Sequence, residues 1–161
     1  MPFSFSITPA TKPSGTGAAA PDGDLDYTSL VMMACEVLAE TDCAFTIGGF
    51  GSDDWAVDVA YDLSTLVEQL PDLLDDLREH RVGEIDLYGQ GIERTLYFHP
   101  TDGEVRITCT SRTTWAPDPT VEPIDREELL AMIARLLSAF STSLQATGSP
   151  LADMAPFPAW R

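Results

Sequence analysis

The chain has 161 residues and a formal charge of −17, with 26 acidic residues against nine basic ones. It is long enough for one domain with a real core, and its field repels nucleic acid and anionic lipid while attracting basic proteins. The bland reading of the same charge is a solvated, solubilising surface. No continuous apolar run reaches membrane-spanning length, and the N-terminus lacks the charged and apolar regions of a signal peptide, so a cytoplasmic protein is expected. Cys35, Cys43 and Cys109 are odd in number and have no CxxC spacing. They read as reduced core thiols, not as a disulfide frame or a zinc site.

Residues 1–25 read as a flexible tether rich in Pro, Gly, Ala, Ser and Thr. Within it Phe3, Phe5 and Ile7 alternate as an edge strand would. Asp22, Asp24 and Asp26 resemble the opening of a calcium loop, but Tyr27 stands where the glycine is required and Met33 where the closing glutamate is, so calcium is not expected. From Asp26, a capping residue, Leu30, Met33, Ala34, Val37 and Leu38 predict a helix to about Thr41.

Ala44–Ile47 and Trp55–Val59 alternate as two strands joined by the Gly48–Asp54 turn. The glycines match neither GxGxxG nor a Walker loop, and no basic residue stands near them, which excludes a phosphate cradle. Asp62–His80 is a helix whose stripe is Leu63, Leu66, Val67, Leu70, Leu73, Leu74 and Leu77. It kinks at Pro71 or restarts there. Asp72, Asp75, Asp76 and Glu79 line its other face.

Glu84–Arg112 alternates through three strands split by Gly89-Gln90-Gly91 and by His99–Gly103. Glu84, Asp86, Tyr88, Glu93 and Tyr97 fall on the wet side. Arg94 falls on the apolar side, which calls for a strand end or a carboxylate partner. Thr113–Pro119 is extended. Asp125 and Glu128 then open a last helix with the stripe Leu129, Ile133, Leu136, Leu137, Phe140 and Leu144. Gly148 and Pro150 close it, and residues 147–161 form a Pro/aromatic tail that either packs across the body or is a sticky segment.

The expected fold is a single α+β domain over residues 26–146. Its order is α-β-β-α-β-β-β-α, with one mostly antiparallel five-stranded sheet and helices packed on one face. No catalytic motif is present. His80 and His99 belong to different elements, Asp76 and His80 are two possible ligands without a third, and Cys109 lies on a buried strand face. No enzyme activity, metal or cofactor is expected.

GGFGSDDWAVDV, DLSTLVEQLPDLL, EIDLYGQGIERTLYF and Trp115-Ala116-Pro117 together resemble the small acidic immunity proteins of actinobacterial polymorphic-toxin systems. The Arg-over-Lys and Ala-rich usage resembles high-GC actinobacterial chains as well. The resemblance spans about residues 43–140 and implies a non-enzymatic protein that binds and inhibits a cognate, basic toxin domain. An acidic chaperone or adaptor for a secreted or injected partner is the alternative. The residues expected to meet the partner are Asp53, Asp54, Trp55, Glu84, Asp86, Tyr88, Glu93 and Tyr97: carboxylates for steering and aromatics for anchoring. An open sheet face with the Asp53-Asp54 turn is favoured over the Asp72–Glu79 helix stripe.

Overall fold

The computed structural model describes residues 2–11 and 23–161. The tether expected before Asp26 falls partly outside these residues. Helix α1 (Tyr27–Ala39) starts where expected, because the Asp26 carboxylate accepts the Ser29 N–H at 2.7 Å. Hydrogen bonding from Ser29 holds that carboxyl below its usual pKa. Leu30, Ala34 and Leu38 are buried, joined by Val31 and Cys35.

Helix α2 (Ser64–Arg78) is entered through a single π turn over Val59–Leu63. Asp58 and Asp62 cap that turn reciprocally. Asp58 Oδ1 accepts the Tyr61 and Asp62 N–H groups at 2.8 and 2.9 Å, and Asp62 Oδ2 accepts the Asp58 N–H at 2.9 Å. Pro71 lies inside α2, which does not restart there. Proline cannot donate to the Val67 carbonyl four residues back. The Tyr27 hydroxyl donates to it instead, at 2.7 Å, and so ties α1 to α2. At the C-terminus the Arg81 N–H reaches the Asp76 carbonyl at 2.8 Å with His80 at φ +55°. This is a Schellman closure with histidine in the left-handed position usually given to glycine.

Helix α3 (Arg126–Ala146) begins at Asp125, whose carboxylate accepts the Glu128 N–H at 3.1 Å, and buries all six residues of its expected stripe. By length and composition α3 is the one described helix that could cross a bilayer, and half of it is buried in the body as a core helix would be.

The strands correct the expected single five-stranded sheet. They form two antiparallel sheets. One pairs β1 (Ser4–Thr8) with β2 (Ala44–Gly48), the other runs β3 (Gly83–Leu87), β4 (Arg94–Pro100), β5 (Glu104–Ser111) and β6 (Val121–Asp125) in that order. The Phe3/Phe5/Ile7 alternation is therefore part of the body, and all three side chains are buried. Trp55–Val59 is not a strand. The Trp55 N–H begins to pair with the Ile47 carbonyl at 2.9 Å, but the Val57 N–H then turns back to the Trp55 carbonyl at 2.7 Å and Asp58 is taken up as a cap. β6 was not expected. Its inward residues are Glu122 and Ile124, and it carries Pro123, which an edge strand tolerates.

The apolar residues of both sheets and all three helices make one continuous core. The C-terminal tail packs across it. Phe157 is fully buried, its carbonyl accepts the Ser141 hydroxyl at 2.6 Å, and its ring lies 5.8 Å from Phe140. On the four-stranded sheet the row Gly83, Phe98, Ile107 and the row Ile85, Leu96, Cys109 face inward and are buried. The β3 edge is closed by the Gln69 side chain, which accepts the Asp86 N–H at 2.9 Å and donates to its carbonyl at 3.0 Å. A side-chain amide thus stands where a neighbouring strand would pair.

Candidate protein-binding surface

The outer face of the four-stranded sheet follows from the same register. Glu84 lies opposite Tyr97, and Thr108 and Val121 continue that row. Glu84 and Val121 are exposed, while Tyr97 and Thr108 are half-buried. His99 opposite Arg106 forms the next row and both are exposed. Asp86, opposite Thr95, begins the third. Arg112 spans that row, with Nη2 donating to Asp86 at 2.8 Å and Nη1 to the Thr95 hydroxyl at 2.5 Å. The face is therefore open, as expected, but Arg112 covers Asp86 and Arg106 stands 3.7 Å from Glu104. The Asp72–Glu79 stripe is also partly neutralised, by Arg78 on Asp75 and Arg81 on Asp76 and Glu79.

Glu93 is a turn residue at φ +47°, half-buried, whose carbonyl accepts the Arg112 N–H at 2.9 Å. Tyr88, 56% exposed, lies beyond the end of β3 and leans towards α2, its hydroxyl donating to Glu68 at 3.2 Å. Desolvation and the Glu68 carboxylate push the phenol above its ordinary pKa.

Asp53, Asp54 and Trp55 lie outside the four-stranded sheet, on the loop after β2. Asp53 and Asp54 are exposed, but Trp55 is only 1% exposed and cannot anchor a partner, which corrects the expected role. Its indole N–H donates to the Gly49 carbonyl at 3.2 Å, and its ring packs on Arg94, an inward residue of β4. The preceding turn serves the core as well. Gly49 and Ser52 exchange hydrogen bonds around Phe50 (φ +58°) and Gly51 (φ +89°), the backbone of a type I′ turn. Phe50 is fully buried and its N–H donates to Glu122 at 2.8 Å, which explains why a carboxylate points inward from β6. A Cβ on Gly49 would stand 2.7 Å from the Phe3 backbone, so close approach, not ligand binding, accounts for that glycine.

Arg94 sits at a strand end, as one of the two expected solutions requires, but not beside a carboxylate. Its guanidinium carbon lies 4.4 Å from the Trp55 ring and 3.6 Å from the Trp115 ring. Its Nε and Nη1 are buried without a hydrogen-bond partner, and desolvation lowers its pKa. Two indole faces replace the anion.

The remaining candidates for chemistry have structural partners. All three thiols are buried and burial raises their pKa, to about 11 for Cys43 and Cys109, opposite to the shift that activates a nucleophile. His80 closes α2, and Asp76, four residues before it, binds the Arg81 Nε at 3.1 Å. Among the described residues no three His, Cys, Asp or Glu side chains converge as a metal site. Comparison with protein-family models, with curated proteins and with solved structures found no match.

Proposed function

We propose that this chain is an immunity-type protein that acts in the cytoplasm, binds a basic toxin domain and blocks it. The observation that carries the reading is the open outer face of the four-stranded sheet on a chain of charge −17, where Glu84 and Tyr97 stand side by side and no described arginine pairs with Glu84. An uncovered antiparallel face is a ready docking surface, and unneutralised carboxylates beside a tyrosine suit a basic partner through steering and stacking. Buried, protonated thiols and histidines placed by turn and sheet geometry fit a binding role better than a catalytic one.

Coexpression with a basic toxin domain, sought among the neighbouring open reading frames, tests the reading. The expected result is restored growth and an equimolar complex in which the toxin is silent. A stable complex whose toxin stays active would make the protein a chaperone or adaptor instead. No complex even at low salt would remove both.

A further inference from the structure

Among the described residues five large apolar or aromatic side chains are exposed: Met32, Tyr61, Val82, Tyr88 and Val121. Three of them, Met32, Tyr61 and Tyr88, line a single cleft of about 170 Å³. They come from three separate segments: α1, the π turn and the chain just beyond β3. Glu36 of α1 and Glu68 of α2 complete the walls, with the buried Ser64 and Thr65 beside them.

The frame behind the cleft is well tied. The reciprocal Asp58–Asp62 cap sets the π turn that presents Tyr61, which is 71% exposed. Gly89 lets the Asp62 carboxylate approach the Tyr88 segment, since a Cβ there would stand 2.6 Å from Asp62 Oδ1. Glu68 takes the Tyr88 hydroxyl, and no described cation forms an ion pair with Glu36 or Glu68. A solvated acidic face does not explain two aromatic rings and a methionine turned to water at one spot.

Resting on the binding role proposed above, we infer that this cleft captures an arginine side chain of the basic partner. The guanidinium would stack on the phenol rings, its edge would meet Glu36 and Glu68, and its methylene stem would lie on Met32. Arginine fits better than lysine because its plane stacks on aromatic rings and its fork matches carboxylate oxygens. The sheet face and the cleft adjoin through Asp86 and Tyr88, so one partner can cover both.

The test titrates the full chain with a capped tri-arginine peptide and with its citrulline counterpart, a neutral isostere. The readouts are the Met32 methyl and the Tyr61 and Tyr88 amides by NMR. Saturable shifts at these three sites are expected with arginine and not with citrulline. Combining Glu36→Gln with Glu68→Gln should weaken binding about tenfold or more, the scale of one lost charge-assisted contact, while Asp102→Asn, at an exposed turn between β4 and β5, leaves it unchanged. Tyr61→Ala, at an exposed ring, gives a second variant that keeps the fold and should also weaken binding. Unsaturable shifts spread over the acidic surface, or binding indifferent to all these substitutions, would overturn the inference. Shifts that track protein concentration would assign the cleft to a second copy and overturn it too. The assay contains no toxin, so peptide binding without toxin inhibition would retire the function and keep the cleft. An inhibited toxin with no arginine binding would do the reverse.

Discussion

Two regions carry the same pairing of acid and aromatic in the sequence and put it to opposite uses. In Asp53-Asp54-Trp55 the indole turns into the core, against Arg94 and Trp115, and the adjacent carboxylates belong to a loop whose glycines serve close packing. Around Tyr61, Glu68 and Tyr88 the rings stay in water although the Tyr61 N–H is capped by Asp58 and the Tyr88 hydroxyl donates to Glu68. An aromatic beside carboxylates is therefore no sign of a surface anchor. What decides is whether the fold offers the ring an apolar wall. Trp55 meets the inner face of a sheet, whereas Tyr61 sits on a turn already satisfied by Asp58 and Asp62.

The largest expected effect lies in the buried region. Trp55→Ala should destabilise the fold by about 3–5 kcal/mol, as truncation of a fully buried large aromatic does, read as a drop in the urea midpoint. A midpoint that did not move would mean that the packing of Arg94 on the Trp55 ring is not formed. Next comes the Tyr27 tie across Pro71. Tyr27→Phe leaves the Val67 carbonyl without its donor and should cost about 1–3 kcal/mol. In a Pro71→Ala background, where residue 71 can donate, the cost should shrink; an unchanged cost would show that the hydroxyl does not replace the missing N–H. In the exposed region, Tyr61→Ala should change stability by no more than about 0.5 kcal/mol while weakening partner binding, and a large loss of stability would place Tyr61 with Trp55 as a core residue.

The smallest effect is a pH dependence. Burial, with Asp58 as a lesser cause, raises the Asp62 pKa above its ordinary 3.8, while the Asp58 N–H opposes the shift. The folded state therefore binds that proton more tightly than the unfolded state. The Asp62 contribution to stability grows as pH falls through the raised folded value towards 3.8 and is lost as pH rises through it. Relative to Asp62→Asn, the wild type should gain stability in that window. A difference flat with pH would contradict the shift.

The helices and the central hairpins were legible because a 3.6-residue or two-residue period needs no tertiary information. β6 was not, since the inward position of Glu122 is set by the Phe50 N–H, 72 residues away in sequence. Trp55–Val59 alternates as a strand should, yet Asp58 is taken as a cap and Trp55 by the core, so local pattern lost to tertiary demand. Of the candidate surface, the shared wet face of Glu84 and Tyr97 was readable from strand alternation, but their pairing and the cleft were not. The walls of the cleft come from separate segments, and their traces in the sequence are Tyr88, expected on the wet face, and Met32 and Tyr61, apolar residues lying off the predicted buried stripes.

The proposed docking of a basic partner rests on unpaired carboxylates and exposed tyrosines. Association kinetics with the proposed toxin domain across ionic strength test it. Association should be rapid at low salt and slow markedly as salt rises, because steering is screened beyond a Debye length of about 8 Å at 0.15 M. Glu84→Lys should slow association, and Tyr61→Ala should mainly speed dissociation. Rates indifferent to salt and to both substitutions would contradict it.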